Sequence, residues 1–166
     1  MKNRDRSLLD TLQRRIAGKK VVLMGVGNRI KGDDGLGPIL MDRLGSRISI
    51  PIINAEDVPE NYLGPVEGAG ADLVLIVDAA DFRGLPGEVR LIEMDELADQ
   101  RFSTHTADLS LLFKAIPAES RPDGILIGIQ TGSMEFLTEP TDPVLSTLDA
   151  LEEILISLFP LGPISK

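Results

Sequence analysis

The chain has 166 residues, a formal net charge of −9 and no cysteine. This length fits one domain with a substantial core, and the lack of cysteine excludes disulfides, thiolate metal sites and a cysteine nucleophile. The negative charge argues against nucleic acid and anionic membranes as partners. It suits a basic protein segment or a cation, although many acidic proteins have no such partner.

Two further features concern the compartment and the assembly. No apolar run approaches the roughly 18–20 residues that span a bilayer, and the N-terminus has no signal-peptide pattern because Leu8 and Leu9 are followed by Asp10 and polar residues. We therefore expect a cytoplasmic protein without membrane insertion, and we take a monomer as its expected state.

The first part of the chain passes from helix to strand to helix. Residues 5–17 carry apolar side chains at helical spacing, which predicts a helix that packs on the following domain. Residues 20–26 are apolar on both faces, as in a central strand of a sheet covered on two sides. Gly35 to Leu44 is predicted as a helix, with Asp33 or Asp34 as its N-cap.

The middle of the chain predicts three more strands. Ile48 to Ile53 reads as a short second strand, and Pro51 indicates that it lies at an edge. Turns and a short helix are expected before the third strand, Leu73 to Val77, which is apolar throughout. Glu88 to Glu93 alternates polar and apolar residues, which is typical of a half-exposed strand and compatible with an antiparallel partner.

The last part predicts two helices and a fifth strand. One helix follows Thr106, and Gly124 to Ile129 is a buried strand. Asp142 is predicted as the cap of the last helix and Pro143 as its first residue. Strands that alternate with helices predict a three-layer α/β/α sandwich.

We treat residues 1–166 as a single domain. Residues 1–18 form a helical extension and residues 19–160 form the sandwich. In sheets of this kind the site lies beyond the carboxyl ends of the strands. That rule selects the segments that follow the first three strands, namely 28–34, 54–57 and 78–81.

The first of these segments follows the strand in the sequence Gly25-Val26-Gly27-Asn28-Arg29-Ile30-Lys31-Gly32-Asp33-Asp34. It is not a dinucleotide fingerprint because Ile30 stands in place of the third glycine, and it is not a P-loop because Asp33 and Asp34 stand where lysine and serine or threonine are required. Each carboxylate would repel a phosphate by ~3 kcal/mol at ~5 Å and an effective dielectric of ~20. The segment is expected to prefer a cation or a polar backbone.

Asp34, Asp78 and His105 form a candidate metal site. Asp78 directly follows the third predicted strand, and His105 is the single histidine and precedes a predicted helix. Two carboxylates and one imidazole suit Ni²⁺, Zn²⁺, Fe²⁺ or Mn²⁺ and leave coordination positions open. Each residue also has an ordinary structural interpretation: Asp34 as a helix cap, Asp78 as a turn residue and His105 as a surface or capping residue.

Two other catalytic arrangements compete with this metal site. A serine triad is disfavoured because Ser103 is too close in sequence to His105, Ser133 has poor flanking residues and no G-x-S-x-G elbow occurs. Acid proteolysis by two aspartates remains open, since Asp34 and Asp78 could share a proton. The Asp-Thr/Ser-Gly signature of that protease class is absent.

Taken together, these segments resemble the [NiFe]-hydrogenase maturation endopeptidases, most closely the branch that serves hydrogenase 3. The resemblance runs from residue 20 to residue 158. The matching segments are Gly25-Val26-Gly27-Asn28, Gly32-Asp33-Asp34-Gly35-Leu36-Gly37-Pro38, Val58-Pro59-Glu60-Asn61, Leu75-Ile76-Val77-Asp78-Ala79-Ala80-Asp81, Pro86-Gly87-Glu88-Val89-Arg90, Thr104-His105 and Ile127-Gly128-Ile129-Gln130.

The resemblance implies a phosphorylase/hydrolase-like sandwich around a twisted five-stranded mixed sheet. It also implies a nickel-dependent endopeptidase, classed with the aspartic type, that removes a short C-terminal extension from the hydrogenase large-subunit precursor after nickel insertion. The nickel would be supplied by that precursor. The alternative is a non-catalytic, nickel-sensing binding module for the same precursor.

The resemblance also implies roles for individual residues. Asp34, Asp78 and His105 match the metal-contacting trio, with Asp34 and Asp78 as the catalytic acids. Substrate contacts are expected from Gly27, Asn28, Gly32, Asp33 and Asn54. Asn54 is a departure, because the family commonly has an aspartate at the end of the second strand, and Glu56 or Asp57 could replace its charge.

Overall fold

The computed structural model describes residues 3–97 and 104–162, without the side chains of residues 3–4, 104–108 and 112. Its sheet has the order β2-β1-β3-β5-β4. The strands are β1 (Val21–Val26), β2 (Ile52–Glu56), β3 (Leu73–Ala80), β4 (Val89–Glu93) and β5 (Asp123–Gln130). Four strands are parallel and β4 is antiparallel to β5, as the alternating pattern of its sequence allowed.

Helices cover both faces of this sheet, which confirms the predicted sandwich. They are α1 (Asn3–Ile16), α2 (Leu36–Leu44), α3 (Leu63–Gly68), α4 (Met94–Leu97), α5 (Thr104–Ala115) and α6 (Asp142–Leu158). Because successive strand residues point to opposite faces, Leu23 and Leu75 pack with α1, α2 and α6, whereas Met24 and Ile76 pack with α3, α4 and α5.

Helix α1 packs on the sandwich, as its apolar spacing predicts. Leu12 is fully buried in the same core as α2 and α6, and Leu8, Leu9 and Ile16 pack against that core. Arg15 also forms a 2.8 Å ion pair with Glu93. No helix in residues 3–97 or 104–162 has the length and apolar composition that crossing a membrane requires.

The second strand begins later than predicted. It starts at Ile52 instead of Ile48, and Ile48 makes an isolated bridge to Pro160. The reason is Pro51, which has no N–H to donate to a ladder. Its carbonyl oxygen still accepts a 3.0 Å hydrogen bond from Leu23, and the predicted edge position is confirmed.

Both predicted aspartate caps are wrong. Residues 32–35 form a 3₁₀ turn ahead of α2, so Gly35 occupies the N-cap position of that helix and no side chain caps it. Helix α6 begins at Asp142 itself, with Thr141 in the N-cap position and Pro143 in the first turn. The carboxylates of Asp33 and Asp34 bond elsewhere.

Candidate functional site

The order of the strands reverses between β1 and β3, where a binding crevice is expected. From β1 the chain crosses to β2 on one side and then to β3 on the other, and a reversal of this kind opens a binding crevice at the carboxyl ends of the strands. The last β1–β3 pair is Gly25 with Val77. Asp78 is therefore the first β3 residue beyond the β1 ladder, and it pairs with Gly128 of β5.

Asp34 lies in the turn that follows β1 and is only 1% exposed. Its Oδ2 accepts a 3.1 Å hydrogen bond from the backbone N–H of Asn28. The turn closes so tightly that a Cβ on Gly27, where φ is +138°, would lie 1.8 Å from the backbone oxygen of Asp34. Only glycine fits there, which gives Gly27 a structural task in placing Asp34.

Asp78 is fully buried inside β3. The sequence placed it just after the strand, but the strand extends to Ala80. A buried carboxylate is tolerated only with a cation or with hydrogen-bond donors, because its desolvation is costly. Asp34 and Asp78 thus lie in the segments that the rule on strand ends selected, and their role in a site stays a prediction.

His105 is the second residue of α5, and its side chain lies outside the described part of the structure. Among the described residues, no group of three or more His, Cys, Asp or Glu side chains is arranged to hold a metal ion. The meeting of His105 with Asp34 and Asp78 therefore stays a prediction. The donor set itself, two buried carboxylates and an imidazole, fits a divalent transition metal.

Asp33 has a different task from its neighbour. It is 0% exposed, and its carboxylate accepts four hydrogen bonds, which are at 2.6 Å from Gly132 N–H, 3.0 Å from Ser133 N–H, 2.6 Å from Thr141 N–H and 3.0 Å from Thr141 Oγ1. Its own N–H donates to Ser133 O at 2.9 Å. In this geometry Asp33 fastens the 131–141 loop, and the substrate contact expected of it stays a prediction.

Asn28 organises the loop with all of its polar groups. Its side-chain Oδ1 accepts from Ile30 N–H at 3.1 Å, its Nδ2 donates to Asp57 at 3.1 Å and its backbone N–H donates to Asp34. Gly27 N–H adds a 2.8 Å bond to the carbonyl of Glu56. These contacts join the loop after β1 to the end of β2.

Asn54 points toward α2. Its Nδ2 donates to Asp42 Oδ1 at 3.3 Å and approaches the carbonyl of Pro38 at 3.5 Å. The acids considered as substitutes are engaged as well, since Glu56 pairs with Arg29 and Asp57 with Asn28. The substrate contact assigned to Asn54 is not tested by this geometry. Gly32, with φ at +50°, has the Ser133 carbonyl 2.9 Å from the place of a Cβ.

Arg29 is a functional candidate that no pattern in the sequence indicated. Its guanidinium bonds Asp42 at 2.6 Å, Glu56 at 2.9 Å and the Pro38 carbonyl at 3.3 Å. The hydrogen bond to Asp42, followed by that to Glu56, raises the pKa of Arg29 above its ordinary value, against the lowering effect of partial burial. Arg29 thus ties the loop of Asp34 to both α2 and β2.

Gln130, the last residue of a segment that matches the family, organises the loop after β3. It is nearly buried at the end of β5, and its Oε1 accepts from Phe82 N–H at 2.9 Å and Gly84 N–H at 3.0 Å. Its Nε2 donates to Asp81 Oδ1 at 3.2 Å. A polar residue that ends an otherwise apolar strand was the signal that could have identified it.

The hydrogen bond from Arg83 N–H, followed by that from Gln130, holds the pKa of Asp81 below its ordinary value. The candidate site thus contains two buried aspartates, one in the turn that follows β1 and one just beyond the β1–β3 ladder. The loops around it are held by Asn28, Arg29, Asp33 and Gln130. Carboxylates in such a crevice can bind a cation or take a proton from a water molecule.

Comparison with known proteins points to one family. The family profile described as hydrogenase maturation protease matches residues 36–158, which include Asp78 and begin just after Asp34. The hydrogenase 3 maturation protease of Escherichia coli strain K12 is 32% identical over 136 residues, which cover 80% of this chain and 85% of that protein.

Solved structures agree. The crystal structure of the [NiFe] hydrogenase maturation protease HycI from Thermococcus kodakarensis KOD1 matches with a TM-score of 0.81 and 30% identity, over 89% of this chain and 97% of that one. The solution structure of the endopeptidase HycI from Escherichia coli matches with a TM-score of 0.75 and 28% identity, over 89% and 99% of the two chains. The chain therefore belongs to the hydrogenase maturation proteases, a family of endopeptidases that process hydrogenase precursors.

Proposed function

We propose that this protease removes a short C-terminal extension from the large-subunit precursor of a [NiFe] hydrogenase, and that it does so only after nickel has been inserted. The observation that carries the proposal is the placement of two buried aspartates, Asp34 and Asp78, beside the β1–β3 crevice. The named relatives include a [NiFe] hydrogenase maturation protease, which gives the substrate class.

In this proposal, nickel belongs to the substrate. Asp34, Asp78 and His105 would hold the ion that the precursor carries, and so place the scissile bond in the crevice. A precursor without nickel would bring no positive charge to the carboxylates of Asp34 and Asp78. The requirement for nickel would then act as a specificity test, because a precursor that lacks the ion lacks its contact with these three residues.

The protein's own contribution to the hydrolysis is position and proton transfer. One aspartate would take a proton from a water molecule as that water attacks the carbonyl carbon, and would return it to the amine as the C–N bond breaks. When bound, nickel would supply Lewis acidity at the carbonyl oxygen. The bonds made by Asn28, Arg29 and Asp33 keep the loop in place during these steps.

The experiment mixes purified protein with nickel-loaded precursor and follows release of the C-terminal peptide by mass spectrometry. We expect Asp34→Asn, Asp78→Asn and His105→Gln each to slow release by about 100-fold or more. Nickel-free precursor should stay full length. Asp149→Asn, which changes an exposed acid paired with Arg43, is the matched control and should keep the wild-type rate.

Two results would contradict the proposal in different ways. If all three site variants release the peptide at the wild-type rate, the site assignment is wrong. If the wild-type protein binds nickel-loaded precursor but leaves it full length, the chain is a nickel-sensing binding module. The cytoplasmic compartment and the monomeric state stay predictions.

A further inference from the structure

Exposed apolar side chains are concentrated in two loops beside the crevice. Within the described residues, half of the large hydrophobic side chains that are exposed belong to these loops. They are Ile30 at 50%, Met134 at 46%, Phe136 at 64% and Leu137 at 85% exposure. We call these four residues the loop patch. Exposed apolar groups gathered in this way mark interaction sites.

The two loops form one continuous surface. Leu137 N–H donates to the Ile30 carbonyl at 2.7 Å, and Lys31 Nζ lies 5.2 Å from the centroid of the Phe136 ring. Close packing at Gly32 leaves no room for a Cβ between the loops. The patch is therefore assembled from the segment that carries Asp34 and from residues 134–137.

The loop patch is held in place by the buried side chain of Asp33. Asp33 is fully buried, and its carboxylate binds the 131–141 loop at Gly132, Ser133 and Thr141. Such charge-assisted hydrogen bonds are strong and directional. Leu137 keeps a left-handed backbone with φ at +57°, a conformation that is unfavourable for a leucine and that leaves its side chain in solvent. The loops thus present apolar groups instead of burying them.

We propose that the loop patch is the docking surface for the hydrogenase precursor, and this inference rests on the proposed function. The patch continues directly into the segment of Asp34, so a chain whose scissile bond lies at Asp34 passes over Ile30 and its neighbours. The occupant is a segment of the precursor with apolar side chains. Exposed Glu135 and Glu139 lie in the same loop and favour basic residues next to those apolar side chains.

The test uses the full protein and the purified, nickel-loaded precursor. We expect the double variant Phe136→Ser/Leu137→Ser to raise the Kd and the KM for precursor by about tenfold or more. Its kcat at saturating precursor should stay within about twofold of wild type, because the patch contributes binding and not chemistry. Circular dichroism and thermal unfolding confirm that the variant is folded.

Leu161→Ser is the matched control. Leu161 is 58% exposed, follows the C-terminal end of α6 and lies far in the chain from both loops. Its Kd and KM should equal those of wild type. An unchanged Kd and KM for the double variant would overturn the docking surface.

Failure of the proposed function would give a different experimental result from failure of the docking surface. If the wild type binds precursor without shortening it and the double variant binds about tenfold more weakly, the docking surface stands and the protease proposal fails. If the wild type neither binds nor shortens the precursor, both are overturned. Analytical sedimentation tests whether the patch binds a second copy of this chain instead. If the wild type is a dimer and the double variant is a monomer, the patch is a self-association surface and the docking proposal is overturned.

Discussion

Thr141 donates both its backbone N–H, at 2.6 Å, and its hydroxyl, at 3.0 Å, to the buried carboxylate of Asp33. This contact joins the loop after β1 to the residue that precedes α6. It also separates the tasks of two adjacent acids. The carboxylate of Asp33 is fully engaged in holding the 131–141 loop, whereas Asp34 lies next to the predicted site. Two adjacent aspartates therefore have different roles, one structural and one as a candidate catalytic group.

The first prediction concerns the hydrogen bonds that Asp33 accepts from the 131–141 loop. Asp33→Asn replaces one acceptor oxygen with an NH₂ group that faces N–H donors, so at least one buried donor loses its partner. We expect a loss of about 2–3 kcal/mol in the free energy of unfolding and a fall of about 5–10 °C in Tm. Urea denaturation and calorimetry measure both, with the exposed-acid variant Asp149→Asn as the control. Equal stability of the two variants would show that the bonds to Asp33 contribute little.

The second prediction concerns the tight turn. Gly27→Ala places a Cβ 1.8 Å from the Asp34 carbonyl oxygen at a φ of +138°, so the backbone of Asp34 must move. We expect a destabilisation of about 3 kcal/mol or more and loss of precursor cleavage. Gly64→Ala is the control, because no heavy atom lies within 4 Å of the new Cβ. Within a helix, that change should stabilise the protein by about 0.5–1 kcal/mol.

The third prediction concerns Arg29. Its ion pairs are partly exposed and each contributes only about 0.2–1 kcal/mol to stability. Arg29→Met should therefore change stability little and lower kcat/KM about tenfold, because the loop of Asp34 loses its attachment to α2 and β2. Arg29→Lys should recover part of the activity, since it keeps the charge without the fork of donors. Arg43→Met, which removes a similar pair that joins α2 to α6 and does not involve the loop of Asp34, should leave kcat/KM unchanged.

The fourth prediction concerns pH. The pKa of Asp81 lies below its ordinary value because the ionised carboxylate accepts hydrogen bonds from Arg83 N–H and from Gln130. The stability that it contributes is present above the ordinary pKa and is lost as the pH falls through the lower folded-state pKa. The stability difference between wild type and Asp81→Asn should therefore shrink in strongly acidic solution. NMR titration of the Asp81 carboxyl measures the pKa directly, and a value at or above the ordinary one would contradict the assignment.

The architecture could be predicted because its signals are local. The stretch Leu73–Val77 is apolar throughout, and the alternation of Val89–Glu93 is typical of a half-exposed strand that can pair antiparallel. The rule on carboxyl ends then selected Asp34 and Asp78. The start of β2 was misplaced because the β-branched residues around Ile48 read as strand, whereas the missing N–H of Pro51 delays the ladder to Ile52.

The hydrogen bonds that hold the loops around the site could not be predicted, because they join residues that are distant in sequence. Asp33 bonds residues 99 to 108 positions away, whereas capping rules look only a few residues ahead, so they assigned it to the helix. Arg29 and Gln130 likewise act through residues that the fold brings together. The geometry of His105 with the two aspartates stays a prediction from the family resemblance.

Both ends of the 131–141 loop are attached to one side chain, which offers a way to alter the substrate preference of this protease. Gly132 and Thr141 are bound to the same carboxylate, so the stretch between them begins and ends at one fixed place. Side chains between these two points that do not contact the segment of Asp34 can vary while both ends stay fixed, whereas Leu137 is tied to the Ile30 carbonyl. Grafting residues 134–140 from a relative therefore tests the proposed docking surface, and we expect the graft to change which precursor is bound.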